Sequence, residues 1–266
     1  MSGAISRTFE ELRQRGRKAF IPFITSGDPD LETTIRTVPE LERAGSHIVE
    51  LGIPFSDPVA DGPVIQRSSE RALRNRYRMG DHLEAVRRIR RDSSIPIVLF
   101  SYFNPLLQYG LDRLAADARA AGIDGVLATD MTPEEGEEYC ACLRDHALDS
   151  IFLATPTSDA ERVGRIARAS RGFVYVVSRS GVTGVRATLS DSVVPTLRRV
   201  REHTDLPVAV GFGISTPEQV RAVWEIADGA VVGSAIVTCM EREPDRAAVP
   251  ARVREFCRWL TGGGDG

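Results

Sequence analysis

The feature that most constrains this chain is a rhythm. Short, largely apolar runs recur along it, and a stretch with helical spacing follows each one. The runs fall at residues 20–24, 47–51, 95–100, 125–128, 150–153, 173–177, 208–211 and 230–232. Strands this apolar are buried on both faces, which requires parallel pairing with the connecting helices packed outside. Eight such units within 266 residues predict a single (β/α)8 TIM barrel, an α/β fold spanning 1–266, with an extra helix at the N-terminus. A doubly wound sheet is the alternative, but no G-x-G-x-x-G follows the first run. Residues 262–266 form a glycine-rich tail expected to be disordered.

Helix starts are written in the same sequence. Thr132-Pro133-Glu134-Glu135 and Ser215-Thr216-Pro217-Glu218 each offer a capping hydroxyl, a proline in the first turn and acids against the helix dipole. Ser158-Asp159-Ala160-Glu161 fits a capping box. Leu31, Ile35, Val38 and Leu41 keep helical spacing, with a kink expected at Pro39.

Several chemistries are disfavoured by composition. Lys18 is the only lysine and precedes the first strand, so imine catalysis, which needs a desolvated lysine in the pocket, is not expected. His47, His82, His146 and His203 are scattered without metal-binding spacing and are expected at the surface or an interface. Cys140, Cys142, Cys239 and Cys257 lack metal or disulfide spacing, and Cys140-x-Cys142 reads as two helix positions. The net charge of −3 advertises no face for nucleic acid or anionic membrane. Without a membrane-length apolar run or a signal peptide, a soluble, cytoplasmic protein is expected.

Parallel barrels place their chemistry at the carboxyl ends of the strands. Those ends present Asp28, Glu50, Asp61, Asn104, Asp130, the loop 178–184, Gly211 to Ser215, and Gly233-Ser234. Gly213, Gly233 and Ser234, joined by Gly184, lie on adjacent loops where backbone amides and a helix N-terminus bind phosphate. Glu50 ends the second run and enters VELGIPFSDPVADGP, a loop stiffened by three prolines and closed by Asp61. A buried salt bridge to arginine is one reading of Glu50. The other is an acid whose proton affinity is raised by an apolar site, facing Asp61 across a substrate. Asp57 is expected to hydrogen-bond within the loop.

These residues resemble the tryptophan synthase alpha subunit family. The resemblance runs from FEELRQRGRKAFIPFITSGDPD through ELGIPFSDPVADGPVIQRSSERAL, SYFNPLLQYG, GFVYVVSRSGVTG and LPVAVGFGIST to DGAVVGSAIV. It implies retro-aldol cleavage of indole-3-glycerol phosphate to indole and glyceraldehyde 3-phosphate. Glu50 is then the acid–base residue, Asp61 the partner of the indole N–H, and Tyr175 the neighbour of Glu50. It further implies phosphate on Gly184, Gly213, Gly233 and Ser234. Phe23, Phe100, Leu127, Leu153 and Phe212 would surround the indole ring, with Asp57, Arg179 and Thr183 in loop closure. No cofactor or metal is expected in this chain. Pyridoxal phosphate belongs to the implied partner, a beta subunit in an α2β2 tetramer. Some positions depart from the family's habit: Thr129-Asp130-Met131-Thr132 replaces Pro-Asp-Leu-Pro, and Arg67 stands where a small or neutral residue is common. A stand-alone lyase of a specialised pathway, or a non-catalytic phosphate-binding partner of the beta subunit, are the other readings.

Overall fold

In the computed structural model, which describes residues 3–177, 193–211 and 213–263, the apolar runs become strands of one parallel sheet. They are β1 (Ala19–Thr25), β2 (Val49–Gly52), β3 (Ile97–Ser101), β4 (Gly125–Ala128), β5 (Asp149–Ile151), β6 (Leu153–Ala154), β7 (Val174–Val177), β8 (Val208–Gly211) and β9 (Gly229–Val232). Pairing runs in the order β5-β4-β3-β2-β1-β9-β8-β7-β6. The strand expected over 150–153 is thus divided at Phe152, with β5 bonded to β4 and β6 to β7. The Tyr175 N–H donates to the Phe152 carbonyl at 3.1 Å, so the seam keeps a backbone bond. One divided strand closes the barrel. The third strand begins later than its apolar run because Pro96 has no N–H for the ladder, although its carbonyl still accepts from Val49 at 2.9 Å.

Around the strands lie α1 (Ala4–Gln14), α2 (Leu31–Arg43), α3 (Pro63–Leu73), α4 (Met79–Ile89), α5 (Phe103–Tyr109) and α6 (Leu111–Ala121). They are followed by α7 (Glu137–Asp145), α8 (Ala160–Ala169), α9 (Val194–Arg201), α10 (Pro217–Trp224), α11 (Ser234–Arg242) and α12 (Val249–Thr261). Alternation along each strand sorts the core into two bodies. Phe20, Ile24, Val49, Leu51, Ile97 and Leu99 point outward into the layer under the helices. Ile21, Ile48, Val98, Leu127, Ile151 and Phe173 point inward and fill the barrel. The extra N-terminal helix plugs its floor: Ile5, Phe9 and Leu12 join the inner cluster, with the Phe9 and Phe173 rings 5.7 Å apart. Each such side chain contributes about 1.5–3 kcal/mol by leaving water.

Some local expectations need correction. The helix expected from Thr132 begins at Glu137; residues 132–135 form a turn in which the Thr132 hydroxyl donates to the Glu135 carboxylate at 3.0 Å. The hydroxyl is spent on a side chain instead of an amide, so it caps nothing. Asp159, not Ser158, caps α8, accepting from the Arg162 N–H at 2.8 Å, while the Ser158 hydroxyl accepts from the Thr155 N–H at 3.2 Å. Thr216 caps α10 as expected, in a box with Gln219. Pro39 is buried inside α2, and the helix continues through it. His82 is buried, against expectation. Its Nδ1 is hydrogen-bonded to the Ser26 hydroxyl at 2.7 Å, and its ring packs edge-on against Tyr77. A polar loop partner lets a neutral histidine fill the space between α4 and the end of β1, and burial pushes its pKa down to about 4.

Candidate active site

Glu50 occupies an inward position on β2, in register with Phe23 on β1 and Val98 on β3. It is 1% exposed, and its Oε1 has no hydrogen-bond partner among the described residues. No ion pair to Glu50 is found among the described residues, so no arginine there supports the salt-bridge reading. Burial pushes its pKa up to about 8, which keeps the carboxyl protonated at neutral pH.

Tyr175 on β7 lies within reach of two acids. Burial, together with the negative charges of Glu50 and Asp61, holds its phenol well above the ordinary range, so it remains a neutral hydroxyl. Two glycines make the aromatic wall possible. A Cβ at Gly211 would stand 2.5 Å from the Tyr175 hydroxyl, and one at Gly52 would stand 2.4 Å from the Phe23 ring. Phe23 meets Phe100 edge-on at 5.1 Å. Phe100 is paired in register with Leu127, and Leu153 with Tyr175, so these side chains form a contiguous apolar lining above the inner core.

Asp61 reaches the site from the loop between β2 and α3. Burial pushes its pKa up to about 6, opposed by a hydrogen bond from Tyr102. At neutral pH it is therefore an anion, while Glu50 is an acid. Tyr102 is a residue the sequence reading missed. Its hydroxyl accepts from the Ala60 N–H at 2.9 Å, and its ring lies 5.1 Å from that of Phe55. Tyr102 thereby ties the acidic loop to the end of β3. The available signal was an aromatic immediately after a strand, in SYFNP. From the other side, Gln66 in the first turn of α3 donates to the carbonyls of Asp61 at 2.9 Å and Pro58 at 3.4 Å. Asp57 accepts from Ser56 at 2.6 Å on the exposed part of the loop.

The remaining acids at strand ends have structural partners. Asp28 accepts from Nε and Nη2 of Arg71, at 2.9 and 2.8 Å. Asp130 accepts from the Phe103 N–H at 2.7 Å, at the start of α5. Asn104 is exposed.

Across the barrel mouth, Gly233 caps α11 and Ser234 opens it. The first amides of a helix have no partner within it and point at whatever sits beyond the end. Gly213 adopts φ +83°, a conformation natural to glycine, just after β8. Gly184, Arg179, Thr183 and Phe212 lie outside the described residues. Among the described residues, no cluster of His, Cys, Asp and Glu could hold a metal ion, and no helix is long and apolar enough to cross a membrane.

The family model for the tryptophan synthase alpha chain matches residues 9–261. The chain is 51% identical to the tryptophan synthase alpha chain of Solibacter usitatus, over 97% of both proteins. Its fold is similar to that in a structure of Mycobacterium tuberculosis tryptophan synthase, with a TM-score of 0.89 at 36% identity over 99% of this chain and 98% of that one. It is also similar to a chain of the tryptophan synthase complex from Pyrococcus furiosus, with a TM-score of 0.84 at 35% identity over 92% and 98%.

Proposed function

We propose, from the premise that the chain belongs to the tryptophan synthase alpha chain family, that Glu50 performs the family's lyase step by exchanging protons with the substrate. The chain is an alpha subunit of tryptophan biosynthesis, a carbon–carbon lyase that cleaves indole-3-glycerol phosphate to indole and glyceraldehyde 3-phosphate.

The substrate phosphate rests on the amides at Gly213, Gly233 and Ser234, completed by Gly184. The indole ring lies among Phe23, Phe100, Leu127 and Leu153, with Phe212. Protonated Glu50 gives its proton to indole C3, placing positive charge on the ring that is centred on N1. The Asp61 anion faces N1–H and stabilises that charge as it develops. Glu50, now a carboxylate, takes the proton of the adjacent glycerol hydroxyl. The oxygen forms the aldehyde carbonyl, the bond from that carbon to C3 breaks, and its electrons return to the ring, releasing indole. The balance closes with Glu50 protonated again. Two carboxyl groups with separated proton affinities suit this division of labour. Tyr175 stays neutral beside them.

The observation that carries this reading is the buried Glu50 carboxyl, whose Oε1 has no hydrogen-bond partner among the described residues. Indole release by the purified chain tests it. Glu50→Gln is expected to lower cleavage by about 10²–10⁴-fold while still binding inorganic phosphate. A glutamine variant that cleaves at the wild-type rate would remove Glu50 from the chemistry.

The partner is a beta subunit, and pyridoxal phosphate serves there, leaving this chain with proton transfer alone. Val59, 85% exposed, and Leu107, 51% exposed, stand on the acidic loop and on α5 at the catalytic end of the barrel. Apolar side chains at that end support docking of a subunit that receives the released indole.

A further inference from the structure

The acidic loop and the phosphate cradle are carried by different helices, and one carboxylate joins those helices. Glu241 lies on α11, two turns beyond Ser234. It accepts from Arg67 Nε and Nη2 at 3.1 Å each, one bond to either oxygen, and from Arg71 Nη1 at 2.6 Å. Both arginines are on α3, whose first turn holds the Asp61 carbonyl through Gln66. Arg71 also grips the buried Asp28 at the end of β1 with its Nε and Nη2. Asp28, Arg71, Glu241 and Arg67 therefore form one continuous strap from β1 through α3 to α11.

Isolated surface ion pairs contribute little, but two-pronged arginine contacts within a network are geometrically demanding. Each prong fixes direction as well as distance. A shift of α11 along its axis cannot occur without moving α3 or breaking these bonds. Arg67 adds a second guanidinium to Glu241.

We propose that Glu241 is a positioning residue that links phosphate occupancy at the start of α11 to the placement of the Asp61 loop. The proposal rests on the reading that phosphate binds at Gly233 and Ser234. An anion seated there draws on the N-terminus of α11; the strap passes that constraint to α3, and Gln66 passes it to the loop. Linkage requires the reverse as well, so a settled loop favours phosphate binding.

The test uses the full chain and inorganic phosphate. Amide hydrogen exchange across residues 53–62 is measured with and without saturating phosphate in wild type, Glu241→Gln and Arg67→Ala, alongside phosphate affinity and indole release. Phosphate is expected to slow exchange in this segment several-fold in wild type. Glu241→Gln should lose most of that slowing while its phosphate dissociation constant stays within about threefold, and kcat should fall three- to tenfold with KM changed less. Arg67→Ala leaves Arg71 on both acids and should lie between the two; it carries the test if Glu241→Gln does not fold. Equal slowing in all three proteins would overturn the strap while leaving the phosphate reading intact. Failure of wild type to bind phosphate would overturn both, and indole release would then show whether the lyase assignment stands.

Discussion

At the scale of single residues, the site depends on what burial does to two acids. Glu50 has an ordinary carboxyl affinity when unfolded and a pKa of about 8 when folded. Between those values the unfolded chain releases a proton that the folded chain keeps, so ionisation favours unfolding. Stability should fall as pH rises from about 4.5 to 8 and level off above that. Asp61, raised to about 6, adds the same sign of dependence over the lower part of the window. In urea unfolding at pH 5 and pH 8, Glu50→Gln is expected to gain on wild type at the higher pH, by a few kcal/mol at most. A wild-type-minus-variant difference that does not change with pH would mean Glu50 is ionised in the folded chain. The same groups frame activity: cleavage should decline below about pH 6 as Asp61 takes a proton, and above about pH 8 as Glu50 loses one. Asp61→Asn should be nearly inactive at every pH. An acidic limb in the wild type that lies well away from pH 6 would assign that limb to another group.

At the scale of elements, the loop between β2 and α3 is held near its α3 end, from two sides, by side chains of its neighbours. Tyr102 receives the Ala60 amide from the β3 side, and Gln66 holds the Asp61 carbonyl from α3. Removing the hydroxyl in Tyr102→Phe keeps the ring against Phe55 but leaves the amide to water. The expected cost is about 1 kcal/mol in stability, with a roughly tenfold loss of kcat and little change in phosphate affinity, because the loop holds Asp61 and not the amides proposed to bind phosphate. Steady-state kinetics decides the point; an unchanged kcat would show that the prolines and Gln66 position the loop without help from β3. This element was only partly legible. VELGIPFSDPVADGP announces a stiff acidic loop after a strand, and the structure contains one. The hydroxyl that restrains it comes from about forty residues downstream, and no local pattern encodes that meeting. The failed caps have a local origin instead: Thr132 and Ser158 each bond to a partner three residues away and not to a helix amide.

At the scale of the whole molecule, the barrel separates its duties by end. The floor is closed by α1, and the mouth gathers the acids, the amides proposed to hold phosphate and the exposed apolar pair Val59 and Leu107. If a beta subunit docks at the mouth, Leu107→Asp should reduce the stimulation of indole release by that subunit several-fold and affect the rate of the isolated chain much less. Titrating beta subunit against the two proteins measures this. Identical stimulation curves would move the docking surface away from α5.

The recurrence of apolar runs and amphipathic stretches determined the barrel, because burial on both faces leaves a strand few architectures. The sequence also placed Glu50, Asp61 and the glycines at the carboxyl ends of strands, where this fold does its chemistry. It could not decide that Glu50 would be buried with no cationic partner among the described residues, that His82 would be buried on Ser26, or that the fifth strand would divide at Phe152. Nor could it join Glu241 to α3 across some 170 positions. Those outcomes depend on which distant side chains share a small volume once the sheet has closed. Periodicity is a local property of the chain, whereas proton affinity and ion pairing are set by neighbours that only the closed barrel brings together.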